Sequence, residues 1–204
     1  MSKYHTPKTI SDRIAKNFTM CLRWIADTFF LKQYGHRAVV LETVAAVPGM
    51  VGGMWTHLKS LRQMKTGYGP KIRMLLAEAE NERMHLMTFI EIIQPNWFER
   101  VLVLFVQFIF WHVFLFIYIF FPRTAHRIVG YFEEEAVISY TDYLAQVDAN
   151  PDLNIPAPQL AIDYWNLPAN ARLRDVIIAV REDEQGHSKV NHAYADDYDR
   201  KDKE

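Results

Sequence analysis

The chain has 204 residues, 23 Lys and Arg against 24 Asp and Glu, and a single cysteine, Cys21. That length suits one domain with a sizeable core, and the single thiol excludes an internal disulfide and any Cys-based zinc or iron–sulfur site. A net charge of −1, with no basic stripe and no Gly-rich phosphate loop, points away from nucleic acid. Half the residues are hydrophobic and 14% aromatic, which is rich for a soluble domain. The start, "MSKYHTPKTISDRIAKNF", lacks the apolar core of a signal peptide and is a poor match to a transit peptide.

Glycines and prolines cluster at 47–53, 66–71, 94–97, 121–123, 150–158 and 167–170, and the stretches between them have few breakers. Helices are therefore expected at 10–31, 36–64, 70–93, 96–120, 124–148 and 170–195, with no hairpin signal to suggest strands. The fold class expected is all-α: a ferritin-like four-helix bundle with additional membrane-facing helices, attached to one leaflet. It is read as one domain over 1–204, with 1–9 and the charge-rich 197–204 as flexible ends.

Chemistry enters with "LLAEAENERMHLM" at 75–87. At 100° per residue Glu82 and His85 share a helix face, Glu78 lies one turn further along it, and Glu80 turns away. The Glu-x-x-His spacing recurs in "VREDEQGHSKVNH" as Glu184 and His187. One such pair arises easily by chance. Two pairs, with Glu42 isolated in "VVLETVAAV" and an acid from "YFEEEAVISYT", match the di-iron carboxylate pattern of ferritin-like bundles. Four carboxylates balance two divalent cations, and one imidazole per metal supplies a nitrogen ligand that suits iron. Among Glu133, Glu134 and Glu135, Tyr140 follows Glu133 by 700°, nearly in line, so Glu133 is the ligand if that face points at the metals. Asn81 and Asp183, each beside a ligand, are candidates for orienting partners.

The run "VLVLFVQFIFWHVFLFIYIFF" at 101–121 spans about 30 Å as a helix, enough to cross a bilayer. A single crossing would put Glu82/His85 and Glu184/His187 on opposite sides. With no second apolar run of 18 residues to bring the chain back, a helix lying in one leaflet is expected instead. Gln107 and His112 suit that placement, and "FTMCLRWIADTFFL" at 18–31 is a second membrane-facing candidate.

Over roughly residues 10–197 the sequence resembles the alternative oxidase family, on "LETVAAVPGMVGGM", "AENERMHLM", "FEEEAVISYT" and "REDEQGHSKVNHAYAD". The resemblance implies two iron ions held by Glu42, Glu82, His85, Glu133, Glu184 and His187, and a redox-active Tyr140. It implies a hydrogen-bonded surround of Asn81, Glu134, Asp183 and Trp165. It also implies a quinol pocket of Arg23, Asp27, Arg37, Leu41, Glu135, Ala136 and Ser139. The implied reaction is oxidation of ubiquinol coupled to four-electron reduction of O2 to water, without proton pumping, by a one-leaflet, usually dimeric enzyme. Ile138 stands where the family often has His, and His36 where plant members carry a regulatory Cys, so thiol-linked regulation is not expected. The ends carry no targeting extension, which favours the cytoplasmic face of a bacterial inner membrane over the matrix side of the mitochondrial one. The rival readings are a membrane-bound di-iron quinone hydroxylase and a non-catalytic ferritin-like iron-binding protein.

Overall fold

A computed structural model describes residues 4–30 and 33–201, with side chains described as far as residue 198. Its elements are α1 (Ile10–Phe30), α2 (Tyr34–Gln63), α3 (Gly69–Ile93), α4 (Trp97–Phe120), α5 (Pro122–Ala149), a 3-10 turn (Pro151–Leu153), α6 (Gln159–Trp165) and α7 (Leu173–Lys201). The all-α class holds: the only extended pairing among the described residues is an isolated bridge between Pro156 and Arg172.

The helix boundaries follow local chemistry. Asn96 caps α4 by accepting from the Glu99 amide at 3.0 Å, while its own N–H donates to Glu99 Oε2 at 2.8 Å, a reciprocal pair that satisfies two donors. Pro70 opens α3, where its missing N–H costs nothing, and Gln94 closes that helix in the left-handed conformation just before Pro95. Short α6 was not expected. It lies between the proline-rich 150–158 segment and "LPAN", too short to carry a periodic signal. Helix α7 also runs past the expected end at 195 to Lys201, and on that extension Asp196 is hydrogen-bonded to Arg127 of α5. Residues 1–3, 31 and 202–204, where parts of the expected flexible ends and the last residue of the first expected helix fall, lie outside the described residues.

Two compact units divide the chain, one comprising the segments up to Arg37 and from Arg123 onward, the other Ala38–Pro122. In the first, Ala15, Ile128, Val129, Val147, Val176, Ile177 and Val180 are buried. In the second, α2 packs very closely on α3. A Cβ on Gly49 would lie 2.5 Å from the Leu75 carbonyl oxygen, so only glycine permits this approach. Helix α4 contributes the buried Phe114 and Tyr118 to the same unit, and Gln107 donates to the Thr43 carbonyl of α2 at 2.9 Å.

One stripe of α4 is exposed, while residues such as Val103, Gln107, Phe110 and Trp111 are half-buried. Leu104, Phe108, Phe116 and Phe120 recur at helical spacing, each more than half accessible. Helix α2 also meets the length and composition of a membrane span, contrary to the expectation that no second run would, but most of its apolar window is buried as core.

Candidate metal centre

The second unit gathers three of the expected ligands. Glu42 comes from α2, and Glu82 and His85 from adjacent turns of one face of α3. His85 Nδ1 lies 3.4 Å from Glu42 Oε2 and 3.3 Å from Glu82 Oε2. One ligand atom from each of these residues lies within 4.8 Å of the others, and all three side chains are buried. Glu80, the glutamate that periodicity turns away, is exposed and pairs with Arg83 through two hydrogen bonds of 2.8 and 2.7 Å. That hydrogen bond holds its carboxyl below the ordinary range. Glu78 is buried one turn before Glu82, and Asn81 is half-buried.

The donor set fits a divalent metal. Two carboxylates converging in a water-poor pocket repel each other at close range and lose hydration, and a cation bound between them offsets both effects. Oxygen donors with one imidazole nitrogen suit iron or manganese better than a thiolate-seeking ion.

The first unit holds the other expected residues. His187 Nδ1 lies 3.9 Å from Glu184 Oε2 on one face of α7, with Glu184 buried and His187 half-buried. On α5, Glu133 and Tyr140 are both buried, as residues seven apart on one face can be. Trp165, at the end of α6, donates from Nε1 to Asp183 Oδ2 at 2.8 Å. Glu134 accepts from the His5 amide at 2.7 Å and contacts His192.

Four of the seven residues implied as a quinol pocket form an ion-pair chain within this unit. Glu135 of α5 pairs with Arg23 of α1, which hydrogen-bonds Asp27 at 3.2 Å, and Asp27 in turn pairs with Arg37. Glu135 and Arg37 are buried. Ala136 and Ser139 are half-buried on α5, and Leu41, in the second unit, is exposed on α2.

A charge cluster built around the buried Arg127 was not singled out from the sequence. Arg127, with no exposed surface, donates from Nε to Asp12 Oδ1 at 2.9 Å and from Nη1 to ring nitrogens of His5 at 3.1 Å and His192 at 2.9 Å. Its Nη2 bonds Asp196. Burial would raise the Asp12 carboxyl, but the Lys8 amide, Arg127, the Thr9 amide and Arg123 outweigh it and bring it down to about 2. These residues come from three distant segments at irregular spacing, so no local pattern marks them.

An all-α chain with Glu82 and His85 buried on α3, Glu184 buried beside the half-buried His187 on α7, and buried glutamates on α2 and α5 carries the residue types of a carboxylate–histidine metal-binding helical class. The chain belongs to the alternative oxidase family, whose sequence profile matches residues 1–196. It is 55% identical over 196 residues to "Ubiquinol oxidase, mitochondrial" of Mangifera indica, covering 96% of this chain and 61% of that protein. It is 57% identical over 193 residues to "Ubiquinol oxidase, mitochondrial" of Batrachochytrium dendrobatidis, covering 95% of this chain and 61% of that one. With "Ubiquinol oxidase 1c, mitochondrial" of Arabidopsis thaliana it shares 54% over 197 residues, covering 97% and 59%. The chain thus spans about three fifths of the length of these curated relatives.

Proposed function

We propose that the chain is a di-iron ubiquinol oxidase that passes electrons from two quinols to O2 and forms two waters. The observation that carries this reading is the buried Glu42–Glu82–His85 set, whose ligand atoms lie close enough to share one metal site. Glu133, Glu184 and His187 complete a centre of four carboxylates and two imidazoles for two iron ions. Iron, when bound, supplies the O2 chemistry.

The chain's own residues do the rest. Burial of Glu42, Glu82, Glu133 and Glu184 keeps bulk water away from the reacting oxygen. The Tyr140 phenol, buried on the Glu133 face, gives a proton and an electron during O–O cleavage. Asn81, Glu134, Asp183 and Trp165 hold neighbouring ligands in orientation, as partners of metal ligands do. Arg23, Asp27, Arg37, Leu41, Glu135, Ala136 and Ser139 receive the quinol. A carboxylate such as Glu135 or Asp27 can accept a hydrogen bond from a quinol hydroxyl, with Arg23 and Arg37 paired to these acids.

Quinol is delivered from the lipid in this reading. The exposed apolar stripe of α4, with Trp24, Ile25 and Phe29 of α1, enters one leaflet, and the protein works as a homodimer on that surface without pumping protons. The relatives are named mitochondrial, so the mitochondrial alternative is preferred here to the bacterial membrane.

The test is oxygen uptake by purified, iron-loaded protein with a short-chain ubiquinol in the presence of cyanide. Rapid uptake with quinone and water as products is expected. No uptake from protein carrying two irons per chain would overturn the oxidase reading, and oxygen found in the quinone ring would assign a hydroxylase instead.

A further inference from the structure

The cluster around Arg127 has a chemistry that the oxidase reading does not use. A guanidinium only donates hydrogen bonds, so each imidazole nitrogen facing it must be an acceptor. Arg127 Nη1 faces His5 Nε2 at 3.1 Å and His192 Nδ1 at 2.9 Å. Hence the His5 hydrogen sits on Nδ1 and the His192 hydrogen on Nε2, which points it at Glu134 Oε1, 3.2 Å away. The His5 backbone N–H donates to the same oxygen at 2.7 Å. One carboxylate oxygen of α5 is therefore held by two donors, and one of them belongs to the N-terminal segment.

The seat for His5 is built from several elements. Its ring stacks on His192 with centroids 4.3 Å apart, and its carbonyl accepts from the Tyr131 hydroxyl at 3.2 Å. The His192 ring in turn lies against Gly130, where an added Cβ would come within 2.6 Å of it. The amides of Lys8 and Thr9 donate to Asp12 Oδ2 at 2.9 and 3.0 Å, which ties the rest of the segment to α1.

We propose that His5 is a positioning residue: seated by Arg127, it delivers its backbone N–H to Glu134 only while its ring is unprotonated, so that residues 4–9 form a proton-released clasp on α5. A proton on His5 Nε2 would face the Arg127 N–H directly, donor against donor and cation against cation. The charged and titratable groups facing His5 are Arg127, Tyr131 and Glu134 of α5 and His192 and Asp196 of α7, with Asp12 of α1 bonded to Arg127 and Lys8 acting on Asp196. Asp196 and Glu134 favour the imidazolium. Burial, His192 and Arg127 outweigh them and hold the His5 ring below its ordinary value. The sign follows: the closed clasp binds fewer protons than the open one. It is therefore fully favoured above the ordinary histidine value of about 6.5 and lost progressively as pH falls below it.

Hydrogen exchange of the whole protein, followed over residues 4–12 between pH 7.5 and 5.5 and corrected for intrinsic rates, tests this without turnover. It is therefore independent of the oxidase reading. Wild-type protection is expected to fall at least about tenfold across that range. His5→Gln, whose amide oxygen accepts from Arg127 and cannot take a proton, should stay protected throughout, and His5→Lys should be unprotected at every pH. The His5 ring titration, followed by NMR in the wild type, should share its midpoint with the loss of protection. Equal pH dependence in wild type and His5→Gln, or a His5 midpoint separated from the exchange midpoint, would overturn the proposal.

Discussion

Gly49→Ala tests how tightly the helix approach sets the metal pocket. The new Cβ would sit 2.5 Å from the Leu75 carbonyl oxygen, 2.9 Å from the Ala79 nitrogen and 3.0 Å from Ala79 Cβ. Two of these neighbours are backbone, so relief requires α2 and α3 to separate by roughly 0.5–1 Å, given normal nonbonded distances of about 3.5 Å. Overpacking of this kind costs about 1–3 kcal/mol, against a gain of up to about 1 kcal/mol from replacing a helical glycine. The net loss of about 1–2 kcal/mol corresponds to a fall in Tm of about 2–8 °C for a chain of this size. Glu42 stands seven residues before Gly49 on α2, two turns along nearly the same face, whereas Glu82 and His85 are on α3. The same separation therefore exceeds the tolerance of about 0.5 Å within which a site must be held. Iron affinity, read from a competition titration with a chelator, should fall about 10-fold or more. Calorimetry on apo protein isolates the packing cost from any metal contribution. A variant with wild-type Tm and wild-type iron affinity would refute the claim that close helix contact positions the ligands.

Gly186→Ala is the matching control: nothing lies within 4 Å of its Cβ, so it should raise Tm by about 2–4 °C in apo protein. Glu82→Ala should lower bound iron, measured by metal analysis, while Glu80→Ala, which removes only an exposed pair with Arg83, should leave it unchanged. Replacing Phe108 by Glu on the exposed stripe of α4 should weaken partition onto lipid vesicles by at least about tenfold, since burying a Phe is worth about 1.5–3 kcal/mol. The Asp12 carboxyl is depressed to about 2, so its stabilising effect is present above about pH 4 and lost as pH falls through 2. Asp12→Asn should lower Tm at pH 7 and flatten the dependence of Tm on pH over that acid range.

Most long helices were legible as breaker-poor stretches between glycine and proline clusters, although Pro48 and the glycines beside it fall inside α2. The breaker clusters at 66–71 and 94–97 coincide with the α2–α3 and α3–α4 connections. Where the signal was short, it failed. Seven residues of α6 between proline-rich segments offer too few turns for periodicity, and the acidic end of α7 reads as a solvated tail. The sequence could not show that Asp196, on that end, reaches back to Arg127. Candidate ligands were legible for a different reason: Glu-x-x-His on a helix is a local relation, fixed by 3.6 residues per turn. In α3 that relation places Glu82 and His85 within 3.3 Å, and it turns Glu80 out to Arg83.

Nothing local marks the Arg127 cluster, and the reason is physical. A buried guanidinium is tolerable only when its donors find acceptors from several directions, and these come from wherever the fold brings segments together. His5, Asp12, His192 and Asp196 each look unremarkable in sequence, and only Arg127, in "TAHRIVGY", is a cation within an apolar helix face. That single feature poses a question about partners without saying where they lie. The glycine three residues later is part of the answer, since Gly130 leaves the space that the His192 ring occupies. An arginine one turn before a glycine on a buried helix face thus reports two things: a charge that must be surrounded, and a gap through which one of its acceptors enters.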